Sequence, residues 1–190
     1  MDDGTDLPVG GIVGHTYEQD FKAKNEINLI TQYRDIALYP EADAAIDDIV
    51  NEMFTVEFER APVSIRLDLL NVDDRIKEVI RKEFKETLHL LRFQKKNYDL
   101  VRQWYIDGRL FYQVVIDENN PKAGIKELRP IDSTKIMRKL EPIYQQDQRT
   151  VAPIVKDVKE WFEFMPTGNK ETAIKLSKDS VIFCPSGLVD

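Results

Sequence analysis

The sequence has few of the residues from which proteins build covalent or metal-based sites. Its 190 residues include one cysteine, Cys184, and two histidines, His15 and His89. One thiol cannot form an internal disulfide, and neither histidine has a Cys, His or paired carboxylate at ligand spacing. Because Cys184 follows an apolar run at residues 181–183, we expect it to be a small buried side chain. The sequence therefore predicts no metal centre, no cofactor and no catalytic residue.

Long apolar runs and an excess of positive charge are also absent. No stretch approaches the roughly 18 apolar residues of a membrane span, so no span is expected. With 27 Lys and Arg against 34 Asp and Glu, the net charge is −7. This balance disfavours a domain whose main surface grips nucleic acid, because such a surface neutralises phosphates with clustered cations. Positive charge is locally dense at Arg92, Lys95 and Lys96, but acidic residues surround it in the sequence.

Glycine-rich phosphate loops and nucleophile motifs are missing as well. The chain contains no Gly-x-Ser-x-Gly, Walker or dinucleotide pattern, and the glycines at positions 10, 11 and 14 do not follow a strand. Together with Pro8 they lie in residues 1–24, which contain few large apolar side chains. Such a segment cannot bury enough surface to offset its ordering entropy. It is therefore interpreted as an N-terminal arm, able to order against a neighbouring subunit.

Helical periodicity is present in the first half of the chain. Apolar spacing predicts one helix from Asn25, a second from Pro40, a third after Asp73 and a fourth over about residues 94–107. Proline suits the first turn of a helix, and Gly108 can end the fourth helix in the left-handed conformation. On the third helix, charges of mixed sign are interpreted as a solvated face: Lys77, Glu78, Lys82, Glu83, Lys85 and Glu86.

Strand patterns dominate the second half. Residues 110–116 are apolar, β-branched and aromatic and predict a central strand, on which residues 125–128 pair back as a hairpin that ends at Pro130. A polar corner follows at residues 132–134. Further strands are predicted at residues 63–69, 135–141, 158–165, 173–176 and 181–184, with an exposed loop at 145–149 and a helical cap at Ser177. The fold class is therefore α+β, with N-terminal helices followed by a mainly antiparallel sheet.

A metal-dependent nuclease is one alternative to a structural role. Such sites combine a strand-borne Asp with a nearby Glu-x-Lys, where carboxylates hold a divalent cation. Asp117 and Glu118 end a strand and Glu127 lies in the facing one, but the clear Glu-x-Lys, residues 83–85, falls within a helix. Carboxylates at a hairpin turn are also ordinary turn chemistry. The pattern is incomplete, and the nuclease is disfavoured.

A nucleic-acid-binding module is the other alternative. It would stack bases on aromatic side chains that alternate with cations. The candidates are Trp104, Tyr105, Phe111 and Tyr112, interleaved with Arg102 and Arg109. Aromatic side chains on helices and strands also bury large areas in a core, and the acidic balance favours that interpretation over base stacking.

Several long stretches resemble one protein family. Phe-Gln-Lys-Lys at residues 93–96, Arg-Gln-Trp-Tyr-Ile-Asp-Gly-Arg-Leu-Phe at 102–111 and Pro-Lys-Ala-Gly-Ile-Lys-Glu-Leu-Arg-Pro-Ile-Asp at 121–132 resemble portal proteins of large contractile-tailed phages, the myovirus type. Tyr-Arg-Asp at 33–35, Ala-Ala-Ile-Asp-Asp-Ile-Val at 44–50 and Ser-Gly-Leu-Val-Asp at 186–190 match in the same order. The agreement runs from residue 27 to 190 and is weakest over 141–170.

The resemblance implies a structural subunit rather than an enzyme. Portal proteins of this family form a ring of twelve subunits at one capsid vertex. The ring nucleates head assembly, docks the packaging motor and joins the neck and tail, while DNA passes through its channel without sequence specificity. The implied partners are identical subunits, the major capsid protein, and, through regions outside this chain, the motor and neck or tail proteins. The implied location is the virion, and the host cytoplasm during assembly.

The resemblance also implies how the chain is divided. Family members are much longer, so residues 25–190 would be the first part of the outer wing, without the stem, clip and crown. The implied fold is a wing-like α+β domain of a portal subunit, preceded by the arm at 1–24. Surfaces that identical copies or absent segments complete would then be left apolar and exposed.

Overall fold

The computed structural model describes residues 25–54, 63–146, 153–168 and 170–187, so the predicted arm at 1–24 lies outside it. Within these ranges the helices are α1 (residues 25–36), α2 (Pro40–Met53), α3 (Asp74–Leu90) and α4 (Phe93–Asp107). The strands are β1 (Arg109–Ile116), β2 (Ile125–Ile131), β3 (Ile136–Gln146), β4 (Pro153–Phe164), β5 (Ile174–Ser177) and β6 (Val181–Pro185). Helices precede antiparallel strands, which confirms the predicted α+β class.

The helices begin and end where local signals place them. Asp73 caps α3, because its Oδ1 accepts the backbone N–H of Arg75 at 2.8 Å. Pro40 occupies the first turn of α2, and Gly108 ends α4 with φ 70°. Arg92, between α3 and α4, has φ 51°, unusual for a residue with a Cβ. No helix in the described ranges has the length and apolar character needed to cross a membrane.

The strands form two small sheets, ordered β2-β1-β6 and β3-β4-β5, with every pair antiparallel. The main core lies where the two sheets pack together. Phe111 and Val181 come from the first sheet, and Ile136 and Phe162 come from the second. The ring of Phe111 stacks on that of Phe183 at 4.9 Å and meets Phe162 edge-on at 6.1 Å. As predicted, residues 110–116 lie in a central strand, β1.

Helix α1 covers the other side of β3. Successive side chains in a strand point to opposite faces, so Met137 turns away from the core that its neighbour Ile136 enters. Met137 packs with Met165, and Ile27 of α1 and Ala173 pack against this pair. The backbone N–H of Met165 also donates to the carbonyl of Lys135 at 2.7 Å. These contacts attach the helical half of the chain to the second sheet.

Three predicted elements differ in the structure. Residues 63–69 alternate in polarity but form no strand, because no described strand pairs with them. β2 continues through Pro130, which is tolerated because β2 is an edge strand and one side needs no donor. The β3–β4 hairpin is longer than predicted on both arms, so that residues 145–146 extend a strand, and residues 147–149 of the predicted loop lie outside the described ranges.

Candidate functional site

A charged cluster joins α1, α4 and the corner after β2. Arg34 donates from Nε to Oδ1 of Asp107 at 2.8 Å and from Nη2 to Oδ2 at 2.6 Å, which is a bidentate pair. Its Nη2 also donates to Oδ1 of Asp132 at 3.0 Å. The Asp107 side chain is 1% exposed. The same Asp132 oxygen accepts the backbone N–H and hydroxyl of Thr134, which builds the predicted polar corner. The cluster fixes three elements to one another.

Hydrogen bonds within this cluster favour the charged forms of Arg34 and Asp132. The hydrogen bond to Asp107 raises the pKa of the Arg34 guanidinium. Burial raises the pKa of Asp132, but hydrogen bonds from Thr134 and Arg34 outweigh it and leave that pKa below its ordinary value. A cleft of about 500 Å³ opens beside the cluster and includes Arg102, which already pairs with Asp43 of α2. Both arginines of the cleft therefore hold carboxylates already, which makes the cleft a poor phosphate site.

The structure does not assemble the nuclease candidates into a site. Asp117 accepts the backbone N–H of Asn119 at 3.0 Å, which is turn chemistry. Glu127 accepts Nε of Arg129 at 3.0 Å, a bond that lowers the pKa of this carboxyl, and it pairs in register with Val115 rather than with Asp117. Among the residues that the structure describes, no group of three or more His, Cys, Asp or Glu side chains could hold a metal ion.

The aromatic candidates for base stacking are in the interior or tied to it. Phe111 and Tyr112 are buried, and burial raises the pKa of Tyr112 to about 12. Trp104 and Tyr105 are half-buried on α4. Arg102 pairs with α2, and Nη1 of Arg109 pairs with Oε2 of Glu26 at 2.7 Å. The core interpretation is confirmed for the two β1 aromatics.

A basic groove of about 1060 Å³ lies between α3, the start of α4 and residues 63–65. Its lining includes the aromatic or aliphatic side chains of Phe84, Leu88 and Phe93. Glu86 is the one carboxylate among the groove residues, and six cations surround it: Arg81, Lys82, Lys85, Arg92, Lys95 and Lys96. His89 also lines this groove and is exposed. A chain with a net charge of −7 thus concentrates positive charge at one place.

The sequence shows three of the six groove cations as a cluster, but it does not predict the groove. Arg92, Lys95 and Lys96 form a local run in the sequence, whereas Lys82 and Lys85 of α3 fall within the predicted mixed-sign face, and nothing in the sequence singles out Arg81. Helical spacing places Arg81, Lys85 and Leu88 on one side of α3, because they follow one another at four and three residues. In the described structure, only Arg81 of the six cations forms an ion pair, with Glu78 at 2.6 Å.

Cys184 gives a simple test of burial in β6. The thiol is half-buried rather than fully buried, and burial raises its pKa. Because the thiolate is the reactive form, we expect native Cys184 to react with iodoacetamide at pH 7.5 at least about tenfold more slowly than after unfolding. Mass spectrometry of the alkylated chain measures both rates, and the same protein in guanidinium is the control. Equal rates in the two samples would contradict the packing of β6.

Comparison with known proteins gives consistent matches. The family model described as Bacteriophage T4-like portal protein (Gp20) matches residues 26–190. The portal protein of Salmonella phage ViI is 39% identical over 117 residues, which are 61% of this chain and 20% of that protein. The portal protein of Vibrio phage KVP40 is 31% identical over 174 residues, 85% of this chain and 33% of that protein.

The chain therefore spans about a fifth to a third of the length of these curated relatives. The match to the family model runs almost from the start of α1 to the last residue, so it takes in every described helix and strand. We conclude that this chain belongs to the family of Bacteriophage T4-like portal proteins.

Proposed function

We propose that the chain is part of a structural portal subunit, which forms a ring with identical copies at one capsid vertex. The observation that carries the proposal is the family match over residues 26–190. In this role residues 25–190 belong to the outer wing, and the subunit has no enzymatic activity. The ring, of twelve copies, would stand in the virion after assembling in the host cytoplasm.

The proposed ring acts as a channel and an assembly platform. DNA would pass through it without sequence specificity during packaging and ejection. The major capsid protein would contact the ring, and the packaging motor and neck or tail proteins would dock through parts of the subunit outside these residues. The absence of a base-stacking surface at Phe111 and Tyr112 is compatible with a wing that stands away from the DNA.

Unpartnered apolar side chains support an assembled state. Helix α3 has an apolar stripe but no buried residue, and its Ile76 and Val79 are 51% and 59% exposed. Leu38, before α2, is 80% exposed, and Leu69 is fully exposed. Ile76 and Val79 lie three residues apart on one helix and so share a face, and apolar surface left exposed on a helix face is typical of interaction sites. Contacts with further copies would cover it.

Imaging and mass measurement of the full-length subunit that contains these residues test this function. We expect closed rings, because a heterologous interface closes when its rotation divides the circle. The copy number expected from the family is about twelve. Electron microscopy and mass photometry would measure ring closure and copy number. A stable monomer at every concentration tried would contradict the proposal. In the same sample, Mg²⁺-dependent DNA cleavage that Asp117→Asn abolishes would favour the nuclease instead.

A further inference from the structure

One face of helix α2 is acidic and unoccupied by any described residue. The helix contains five carboxylates and no Lys or Arg in its 14 residues. Asp43 and Asp47 point inward to Arg102. The exposed face carries the remaining carboxylates and two small residues: Glu41, Ala44, Ala45, Asp48 and Glu52. This acidic α2 face has the opposite charge to the basic groove, and neither surface includes a residue of the other.

We propose that the acidic α2 face of one copy docks along the basic groove of the next copy. The inference rests on the proposed ring and names the surfaces that build it. Because the two surfaces differ, the contact is heterologous, and such contacts generate closed rings or open filaments rather than two-fold dimers. A single chain then offers one surface to each neighbour.

The spacing of side chains on the two surfaces matches. Glu41, Ala45, Asp48 and Glu52 are separated by four, three and four residues. The groove side of α3 repeats steps of four and three residues at Arg81, Lys85 and Leu88. Arg92 follows in the turn between α3 and α4. Within a helix, steps of four and three residues rise about 6 and 4.5 Å.

With the two segments antiparallel, the match extends from spacing to chemistry. Glu52 faces Arg81 and Asp48 faces Lys85, and Glu41 lies toward the α3–α4 turn that carries Arg92. The remaining position sets the small Ala45 against Leu88, where a small residue lets two helices approach closely. In the parallel alignment, Asp48 would instead face Leu88 and Ala45 would face Lys85. The antiparallel alignment is therefore the one that the charges select.

A second copy fits the groove better than DNA does. The apolar side chains of Phe84, Leu88 and Phe93 line the groove between the cations, and a phosphate backbone would leave them uncovered. An α2 helix offers apolar contact through Ala45 and, at its end, through the half-exposed Met53. An acidic, partly apolar helix satisfies both the charged and the apolar parts of the groove.

Reversing the charges of the two surfaces in the full-length subunit tests this contact. We expect the groove variant Arg81→Glu with Lys85→Glu to lower the fraction of chains in rings at least about tenfold, since like charges would then face each other. The helix variant Asp48→Lys with Glu52→Lys should lower it similarly. Combining all four substitutions in one chain reverses both surfaces and should restore rings. Mass photometry measures the ring fraction in each sample.

Mixing the two double variants separates contacts between copies from contacts within one chain. In a ring where the variants alternate, every groove meets a helix of opposite charge, so an equimolar mixture should form rings although neither variant does alone. Rescue in the four-substitution chain without rescue in the mixture would overturn the proposal.

The matched control is Lys156→Glu with Lys159→Glu, which makes the same charge change as the groove variant at two exposed lysines of β4. This control should leave the ring fraction unchanged.

The outcomes also separate this contact from the proposed function and from DNA binding. If the unaltered chain forms no ring, the proposed function itself fails. If it forms rings and both double variants form them equally well, only the α2–groove contact is overturned. If the groove variant keeps its rings but loses salt-sensitive retention on duplex DNA, the occupant is DNA and the proposal is wrong.

Discussion

Phe111→Ala is expected to lower the free energy of unfolding by about 4 kcal/mol, as large aromatic-to-alanine changes in a core do. Phe111 is 2% exposed and contacts residues of both sheets. Removing its ring leaves a cavity between Phe162 and Phe183, which are held by different sheets and cannot close it independently. Urea denaturation followed by tryptophan fluorescence would measure the loss.

The matched control for Phe111 is a strand residue outside the core. Val158 of β4 is 48% exposed, so Val158→Ala should cost less than about 1 kcal/mol. A loss of the same size at both positions would mean that strand propensity, rather than inter-sheet packing, sets the stability. A loss below about 1 kcal/mol at Phe111 would show that the two sheets do not share this core.

The sequence predicts the elements whose causes are local. Asp73 caps α3, Pro40 begins α2 and Gly108 ends α4, and in each case the signal and the structure lie within a few residues of each other. Strand β1 is also predictable, because apart from Gln113 residues 110–116 are large apolar or aromatic side chains that need burial on both faces. Its central place in a sheet follows from that composition.

The errors come from partners that are distant in sequence. The alternation at residues 63–69 satisfies the strand pattern, but a strand also needs a neighbour for its hydrogen bonds, and no pattern within seven residues reports one. Likewise, Pro130 ends a strand only where its missing N–H faces a partner. Its tolerance in β2 depends on the sheet order, which the local sequence does not encode.

The basic groove shows the same limit for function. The three cations at the start of α4 are a visible run, and three cations of α3 line the groove with only one acidic residue of that helix: Arg81, Lys82 and Lys85, with Glu86. What the sequence could not show is that α3 and α4 bring the two groups to one groove. The family resemblance, by contrast, was predictable, because it depends on long collinear stretches and not on tertiary contacts.

Arg34→Ala is expected to lower the free energy of unfolding by about 3 kcal/mol. The change removes the bidentate partner of Asp107, whose side chain is 1% exposed, and a buried charge without its partner costs several kcal/mol. It also frees α1 from the corner at Asp132. Denaturant unfolding by circular dichroism would measure the loss. Arg34→Lys keeps the charge but not the two parallel hydrogen bonds, so its loss should be intermediate.

The control for Arg34 is Arg81→Ala. Arg81 pairs with Glu78 on the surface of one helix, and such pairs contribute less than about 0.5 kcal/mol. The free energy of unfolding should therefore change little.

The effect of Arg34→Ala on stability should also depend on pH. The pKa of Asp132 is lowered in the fold. Its stabilising contribution is therefore fully present above the ordinary carboxylate pKa of about 4 and is lost as the pH falls below that value. The difference between wild type and Arg34→Ala should therefore shrink in acid. An unchanged difference at pH 3 would mean that the charge of Asp132 does not contribute to the effect of Arg34.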